Sequence, residues 1–383
     1  PALDFIKGRT DVAQIRLTDE QAAVVRTLTE SLQGGFKVSL LHGITGSGKT
    51  IVYCHLVRTV IENGRSVLVM TPEIALSGAT LAYFRGFFGD AVTVLHSGMS
   101  ERERFESWQG IQSGKFPIVV GPRSALFAPL TKLGLIIVDE EHDSSYKQDD
   151  PSPRYHGRDC AIMRAHLNKI PVLLGSASPS IESYHHAQSG RYALLKLSRR
   201  PGSATLPDVR VIDMRQHAAR GDIPFVSVPL KRAVEQRIEK GEQTILFLNR
   251  RGYSSALKCS DCGHFPQCPS CKVGLTFHKA GLKLVCHYCG FMRGKYDLCE
   301  SCGSHSLLYP GAGTQRVEEA VPRLFPGVST IRLDSDSASG RENAHRILDS
   351  FARRQHQILL GTQMVTKGLD MREVSLVGVL SAD

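Results

Sequence analysis

The chain has 383 residues, 42% of them hydrophobic, which suits two globular domains and an insertion. No apolar run approaches the ~20 residues of a membrane span, so we expect no membrane partner. No signal-peptide pattern opens the chain, but a start at Pro1 instead of Met indicates a fragment or a processed chain and leaves an upstream targeting segment open. The formal net charge of +10 favours an anionic partner, with nucleic acid the obvious class.

The first predicted helix begins after Thr18. Thr18 is a candidate N-cap, and Gln21 follows three residues later at the spacing of a capping box. Gln21 also lies just upstream of a glycine-rich stretch, where it is a candidate to read the edge of an adenine base. The residues leave both roles open.

An apolar strand over Val38–Leu41 leads into Gly43–Thr50, which spells G-x-x-x-x-G-K-T, and a helix follows. This order is the context of a phosphate-binding loop, in which backbone N–H groups and the helix N-terminus face an anion. We expect Lys49 against the β- and γ-phosphates of ATP and the Thr50 hydroxyl on Mg²⁺. The predicted nucleotide-binding set is Gln21, Gly43, Thr45, Gly46, Ser47, Gly48, Lys49 and Thr50.

Strands and helices then alternate along the chain. The predicted apolar strands are residues 67–70, 92–95, 118–120, 135–138 and 172–174, with helices ending near residue 88 and spanning about 100–112. Continuous apolar strands that alternate with helices indicate a parallel, doubly wound α/β sheet. Ligands bind beyond the carboxyl ends of such strands.

Two adjacent acids follow the strand at 135–138. One acid in this place can hold Mg²⁺ on the nucleotide, and a second can orient the attacking water. We assign Asp139 to Mg²⁺ and Glu140 to the water, so that Lys49, Asp139 and Glu140 form the predicted catalytic set. His142 and the stretch Ser176–Ser178 are candidates to couple nucleotide state to another ligand, and a structural role for His142 stays equally open.

The alternation breaks around Arg199–Pro207, which we interpret as a linker. It resumes with predicted strands at 209–212, 244–248, 330–333, 357–360 and 374–380 and helices at about 229–240, from 314, and at 341–353. This second lobe has no phosphate loop, and we expect the nucleotide to be closed between the two lobes. The predicted domains are residues 1–200 for the first lobe, 201–255 and 307–383 for the second lobe, and 256–306 for an insertion.

The insertion carries four C-x-x-C pairs: Cys259/Cys262, Cys268/Cys271, Cys286/Cys289 and Cys299/Cys302. Apolar periodicity nearly vanishes here, so the segment needs a covalent or metal staple. Four pairs without a secretory signal favour two Cys₄ zinc sites over disulfides, with an iron–sulfur cluster as a minor alternative. The 14 residues between Cys271 and Cys286 approach a zinc-ribbon gap of roughly 15–20, which favours one zinc on the inner pairs and one on the outer pairs. A closed Cys₄ site has a structural or binding role.

These motifs, in this order, resemble superfamily 2 helicases and, more specifically, the PriA family of bacterial primosomal replication-restart helicases. The matching stretches are Gly43–Thr50, Thr71–Leu76, Gly121–Phe127, Asp139–His142, Gly175–Pro179, Asn249–Tyr253, the eight cysteines, and Gly361–Met364 with Lys367–Gly368. The match covers about residues 17–383. It implies two RecA-like lobes with the zinc-binding insertion in the second lobe.

The resemblance implies an ATP-dependent 3′→5′ DNA helicase that acts at stalled replication forks, in the bacterial cytoplasm at the nucleoid. The implied cofactors are ATP, Mg²⁺ and two Zn²⁺. The implied partners are single-stranded and forked DNA, single-strand binding protein, primosome proteins and the loader of the replicative helicase. The implied DNA contacts are Arg123, Tyr146, Lys147, Arg154, Tyr155, Thr362 and Lys367, several of them in a loop similar to the family's aromatic-rich DNA-sensing loop.

The sequence departs from the family in three places. The family's N-terminal DNA-binding domains would precede Pro1, and its C-terminal domain and arginine-rich motif would follow Asp383, so we expect weak hydrolysis from these residues alone. Asp149–Pro153 lacks the glycine of the family's aromatic loop. Two alternative functions stay open: a fork-binding primosome scaffold with little or no unwinding, and a double-strand DNA translocase.

Overall fold

The chain divides into two units, Pro1–Pro207 and Asp208–Asp383, whereas the sequence put the boundary after residue 200. The structure is a computed structural model. It describes residues 15–72, 79–96, 98–150, 152–201, 207–214, 226–248, 257–259, 261–278, 283–294, 297–308, 314–333, 341–362, 371 and 373–380.

Parallel strands form the centre of the first unit. The strands are β1 (Val38–Gly43), β2 (Ser66–Met70), β3 (Val92–Val94), β4 (Ile118–Gly121), β5 (Leu133–Asp139), β8 (Val172–Ser176) and β9 (Ala193–Leu197), in the order β3-β4-β2-β5-β8-β1-β9. A short antiparallel hairpin, β6 (Lys147–Gln148) and β7 (Tyr155–His156), follows β5. The helices are α1 (Asp19–Ser31), α2 (Lys49–Glu62), α3 (Ala79–Phe88), α4 (Glu101–Gln112), α5 (Gly157–Leu167) and α6 (Ile181–Gln188).

Helices cover both faces of this sheet. One core cluster contains residues of α1, α2 and α3, and a second contains residues of α4, α5 and α6. Successive apolar residues of β2, β4, β5 and β8 alternate between the two clusters. The strands β2, β4, β5 and β8 are buried along their whole length because both of their faces are covered. The predicted parallel α/β architecture is therefore confirmed.

Helix starts follow the capping chemistry of the sequence. The Thr18 side chain accepts from the Gln21 backbone N–H, and the Gln21 side chain accepts from the Thr18 N–H, which confirms the predicted capping box. Ser100 and Glu103 form the same reciprocal pair at the start of α4. Each box satisfies backbone donors that have no partner within the helix.

Gly175 in β8 lies where a side chain has no room. It pairs with Leu41 of β1 on one side and with Asp139 of β5 on the other. A Cβ atom at this position would lie 1.8 Å from the Tyr53 hydroxyl oxygen, which donates a hydrogen bond to Asp139. The absent side chain thus lets α2 approach the strand that carries Asp139.

The second unit has a four-stranded parallel sheet. Its strands are β10 (Gln243–Leu248), β16 (Thr330–Leu333), β17 (Ile358–Gly361) and β18 (Val374–Leu380), in the order β16-β17-β10-β18. Its helices are α7 (Val228–Glu239), α8 (Thr314–Leu324) and α9 (Arg341–Ala352). Residues of α7 and α8 share one core cluster and Phe351 of α9 belongs to another, so this sheet is also covered on both faces.

Short antiparallel strands make up the described part of the insertion. They are β11 (Lys258–Cys259) paired with β15 (Leu307–Leu308), and β12 (Thr276–His278), β13 (Lys283–Val285) and β14 (Met292–Gly294) in a three-stranded sheet. Its small core holds Leu257, Leu275 and Leu284 beside two of the cysteines.

The strand predicted at Val209–Ile212 is wrong. Residues 207–213 have no strand pairing, and the side chains of Val209 and Val211 are 79% and 93% exposed. Alternating valines form a strand only where a neighbouring strand supplies hydrogen bonds and apolar cover. The edge strand β9, by contrast, has no predicted counterpart, although Lys196 is its one polar residue; most of its residues are half-buried.

Several sequence motifs lie outside the described residues: Glu73–Leu76, Asn249–Tyr253 and Gln363–Gly368. Among the helices of the described part of the chain, none is both long enough and apolar enough to cross a membrane.

We expect Gly175→Ala to destabilise the first unit by about 1–3 kcal/mol, the usual cost of overpacking a core. The reason is the overlap with the Tyr53 hydroxyl. Urea unfolding of the Gly175→Ala, Tyr53→Phe and double variants measures this, and part of the loss should be recovered in the double variant because phenylalanine lacks that oxygen. Strictly additive losses would contradict the packing argument.

Candidate nucleotide and nucleic-acid site

The phosphate-loop sequence turns tightly between β1 and α2. Gly46 and Gly48 have φ of 79° and 83°, a left-handed conformation that favours glycine. A Cβ atom on Gly43 would lie 2.7 Å from Ser47 Oγ and 3.0 Å from Lys49 Cγ. The loop therefore closes on itself around Lys49, whose ammonium donates to the Gly43 carbonyl at 2.9 Å.

Gln21 ties α1 to this loop. Its side-chain oxygen accepts from Thr18 N–H at 3.0 Å, and its amide nitrogen donates to the Ser47 carbonyl at 2.8 Å. A contact between Gln21 and adenine stays a prediction. Thr45 and Gly46 are exposed, Thr50 is half-buried, and Ser47 Oγ is buried without a hydrogen-bond partner.

Asp139 lies at the carboxyl end of β5, close to the loop. Its carboxylate accepts from the Tyr53 hydroxyl at 2.9 Å. The pKa of Asp139 is raised from 3.8 to about 6: burial is the main cause, the nearby Glu140 charge adds to it, and the Tyr53 hydroxyl and the Lys49 ammonium oppose it. A buried carboxylate whose charge is only partly compensated is a suitable ligand for a divalent cation.

Glu140 has an unusual backbone with φ of 48°, and its side chain is 32% exposed. Strained backbone of this kind is maintained where the surrounding structure holds it, often at functional sites. His142 Nδ1 lies 3.7 Å from a Glu140 oxygen and 2.7 Å from Ser176 Oγ, and its Nε2 lies 3.4 Å from Ser178 Oγ. The acids after β5 and the serines after β8 thus form one cluster at the same edge of the sheet.

The hairpin β6–β7 carries three of the seven predicted DNA contacts, Lys147, Arg154 and Tyr155. Arg123 donates to the Lys147 carbonyl at 2.6 Å, and its guanidinium lies 5.5 Å from the ring centre of Tyr155. That ring meets Phe127 edge-on at 5.7 Å, and Phe127 is 60% exposed. Lys147 and Arg154 are exposed. The surface formed by the hairpin therefore includes Arg123 beside Tyr155, with Arg154 and Lys147 exposed. Lys147 is on the opposite face of the hairpin from Tyr155, because Lys147 pairs with His156 and Tyr155 pairs with Gln148.

Tyr146 does not belong to this surface. Its side chain is fully buried, and its hydroxyl donates to the Asp139 backbone carbonyl at 2.7 Å. The prediction that Tyr146 contacts DNA is therefore wrong for this structure, because the ring is packed in the core at the base of the hairpin. In the second unit, Thr362 is buried at the end of β17, and Lys367 lies outside the described residues.

The eight cysteines form two groups, each with its sulfur atoms within 4.8 Å of one another. Cys259, Cys262, Cys299 and Cys302 form one group, and Cys268, Cys271, Cys286 and Cys289 form the other. This is the nested arrangement that the spacing favoured. Within the inner group, the backbone N–H of Cys289 lowers the pKa of Cys286 to about 7, whereas hydrogen bonding to the Cys289 sulfur raises the pKa of Cys271 to about 12. Each group could hold a metal ion.

Sequence reasoning missed three residues of the nucleotide site. Tyr53 lies one helical turn after Lys49, a spacing that could have indicated a shared helix face. The Glu20 carboxylate accepts from Ser198 N–H at 2.9 Å, and Arg200 Nε donates to the Thr45 carbonyl at 2.8 Å. These contacts join residues about 150 or more positions apart, which no local pattern could reveal.

Two family models match the chain. Residues 14–180 match the res subunit of type III restriction enzymes, and residues 268–293 match the Cys-rich region domain of PriA DNA helicases. The chain is 47% identical over 369 residues to the replication restart protein PriA of Bacillus subtilis, covering 96% of this chain and 46% of that protein. It is 44% identical over 371 residues to that of Chlamydia trachomatis, covering 96% and 49%. The chain thus spans about half the length of these curated relatives.

A solved structure of RecG bound to a three-way DNA junction has a similar fold. Its TM-score is 0.52 at 16% identity, and the match covers 95% of this chain and 38% of that one. At this identity the likeness concerns the fold alone.

We expect Asp139→Asn to raise the free energy of unfolding of the nucleotide- and metal-free protein at pH 8 by about 1–3 kcal/mol. The folded-state pKa of Asp139 lies above its usual value, so its contribution to stability is present at low pH and lost as pH rises from about 4 through 6. Asparagine avoids the buried charge and can still accept from Tyr53.

Thermal unfolding in EDTA at pH 5 and pH 8 measures the effect, which should be about half as large at pH 5, midway through the pH range in which the stability is lost. Asp90→Asn removes an exposed carboxylate and is the matched control. An unchanged or lower melting temperature for Asp139→Asn at pH 8 would refute the expectation.

Proposed function

Because the chain belongs to the replication restart PriA family over the part of the family's length that it spans, we propose that it is the ATP-dependent motor of a DNA helicase. The observation that carries the proposal is the link between the phosphate loop and the acidic strand end. Lys49 opens α2, Tyr53 one turn later bonds Asp139, and the Lys49 charge is near enough to oppose the rise in the pKa of Asp139.

The residues fit a magnesium nucleotide. The left-handed turns at Gly46 and Gly48 and the unpartnered Ser47 Oγ offer backbone and hydroxyl groups to phosphate oxygens. Lys49 would exchange the Gly43 carbonyl for a phosphate, and Thr50 with Asp139 would hold Mg²⁺. ATP supplies the phosphoryl group whose hydrolysis drives the motor. Glu140, half-exposed beside this acid, would orient the water.

The hairpin surface supports a DNA contact in the first unit. Tyr155 presents a ring held between Arg123 and Phe127, and Arg154 lies exposed next to it. Aromatic faces flanked by basic groups bind single strands by stacking and by phosphate contact. Within the second unit, we retain Lys367 as a candidate contact on the resemblance alone, whereas Thr362 is as buried as Tyr146 and is not retained.

We further propose 3′→5′ movement at stalled replication forks, in the bacterial cytoplasm at the nucleoid. The partners would be single-stranded and forked DNA, single-strand binding protein, primosome proteins and the loader of the replicative helicase. These finer assignments rest on family membership.

We expect DNA-stimulated ATP hydrolysis, and Lys49→Ala should lower it by roughly 100-fold or more because the main cation facing the phosphates is lost. Hydrolysis is measured with and without forked DNA, in this chain and in the longest open reading frame that encodes it. Lys37→Ala, an exposed lysine at the other end of β1, is the control.

Unchanged hydrolysis in Lys49→Ala would refute the assignment of the nucleotide site. Absence of hydrolysis both in this chain and in the longer reading frame would favour the scaffold alternative. Strand displacement on forks separates a helicase from a double-strand translocase.

Arg154→Ala should weaken binding of single-stranded DNA and reduce the slope of log K against log salt by about 0.7, the effect of losing one phosphate contact. Fluorescence anisotropy over a salt series measures both quantities. Arg191→Ala, which removes another exposed arginine outside the hairpin, is the control. Equal slopes for the two variants would contradict a DNA contact at Arg154.

We also propose that each cysteine group holds one structural zinc ion. The Sγ atoms of Cys259 and Cys302 are 3.6 Å apart, as are those of Cys268 and Cys289. A disulfide would need about 2.0 Å, whereas tetrahedral thiolates on zinc lie about 3.8 Å apart. With four thiolate ligands, neither site would keep a position for substrate.

Elemental analysis should therefore give two zinc ions per chain. Cys262→Ser and Cys271→Ser should each lower the zinc content, by loss of the outer and the inner ion respectively, while ATP binding persists. Cys160→Ser, which lies outside the insertion, should retain both ions. Detection of iron, or of a single ion in the wild-type chain, would refute the assignment.

A further inference from the structure

Glu141 is a charged residue for which the proposed mechanism has no role. Its side chain is fully buried directly after Asp139 and Glu140. The carboxylate accepts from Ser180 N–H at 2.7 Å, from the Ser180 hydroxyl at 3.1 Å, from the Ser183 hydroxyl at 2.8 Å and from Arg158 at 3.0 Å. Four donors on one buried carboxylate make a fully satisfied hub.

Arg158 is the cation of this hub. Its side chain is 10% exposed, and the same terminal nitrogen that bonds Glu141 also donates to Ser180 Oγ at 2.7 Å. Its Nε donates to Asp159 at 2.8 Å. A buried ion pair gives little net stability compared with an apolar pair, because both charges must be desolvated. The main effect of the Glu141–Arg158 pair is therefore to fix the relative positions of the two charged groups.

The pair joins three segments of the candidate site. Glu141 belongs to the acidic stretch after β5. Arg158 is the second residue of α5, which begins directly after the hairpin strand β7. Ser180 is the N-cap of α6 and follows the serines that contact His142.

The base of the hairpin is packed tightly enough to pass a displacement to Arg158. Gly157 lies between the hairpin and Arg158, and a Cβ atom on it would come within 3.0 Å of Arg123 Cγ and 3.3 Å of the Tyr146 carbonyl. Arg123 itself bonds the hairpin backbone. A shift of the hairpin therefore moves the start of α5 instead of being absorbed by loose packing.

We propose that Glu141 and Arg158 are positioning residues that transmit DNA contact at the hairpin to Glu140 and His142, so that DNA accelerates hydrolysis. This inference rests on the proposed function. For this to happen, a shift of Arg158 must move the acidic stretch and the serines after β8 together. The Glu141 carboxylate links them, because it belongs to the acidic stretch and accepts from both Arg158 and Ser180.

Arg158→Lys tests the proposal. Lysine keeps the positive charge but has one nitrogen, so it cannot bond Glu141 and Asp159 in the geometry of the guanidinium. We expect the DNA-stimulated kcat to fall about tenfold while basal hydrolysis and the KM for ATP stay within about twofold. Hydrolysis is titrated with single-stranded DNA, and thermal unfolding is recorded alongside.

Arg164→Lys is the matched control. Arg164 lies on the same helix, is half-buried, and donates to the carbonyls of Leu126 and Ala128. The stimulation ratio of this variant should match that of the wild-type protein. Ser183→Ala, which removes one donor to Glu141 at the cost of a small cavity, is the second variant should Arg158→Lys not fold, and it should lower the stimulation ratio about threefold.

The outcomes separate the inference from the proposed function. A stimulated wild-type protein with equally stimulated Arg158→Lys and Ser183→Ala variants would overturn the inference alone. Basal and stimulated rates that fall together with the melting temperature would assign the pair a purely structural role and also overturn it. A wild-type protein that DNA does not stimulate would overturn both.

Discussion

The contact between Tyr53 and Gly175 is the constraint on which the nucleotide site depends. Gly175 pairs with β1 on one side and with β5 on the other, so it lies between the strand that leads into the phosphate loop and the strand that ends in Asp139. The Tyr53 oxygen occupies the place of the missing Cβ atom and donates to Asp139. Loop, helix and carboxylate are thus held in one rigid arrangement before any ligand binds, and such preorganisation is what stabilises developing charge in catalysis.

Buried charge is concentrated at the same edge of the sheet. Asp139 has a raised pKa because it is desolvated, and Glu141 is fully buried beside it. The surroundings of the two acids differ: Glu141 accepts from four donors, one of which is the Arg158 cation, whereas Asp139 accepts from the Tyr53 hydroxyl and lies near Lys49. The charge of Asp139 is only partly balanced by its neighbours, and a metal ion would neutralise it. The charge of Glu141 is fully balanced, and its hydrogen bonds hold neighbouring segments in place.

The hairpin shows how an exposed surface is tied to this interior. The Tyr146 hydroxyl at the base of the hairpin donates to the Asp139 backbone carbonyl, and Arg123 donates to the carbonyl of Lys147 in the first strand of the hairpin. Tyr155 and Arg154 remain available at its second strand. A small hairpin with a fixed base and an accessible edge can present side chains to a ligand without a core of its own.

The sequence by itself determined the features whose chemistry depends on short spacings. The phosphate loop, the acids after β5, the helix caps and the cysteine pairs each consist of residues a few positions apart, and the apolar strand runs indicated the parallel sheet. Tertiary structure alone decided the contacts between distant segments. It placed Tyr146 in the core, although its neighbours are at the surface, and it left Val211 exposed, although its pattern is that of a strand. It also joined Tyr53 to Gly175 and Glu141 to Arg158. These outcomes depend on which surfaces the packed elements cover, and no local pattern encodes that.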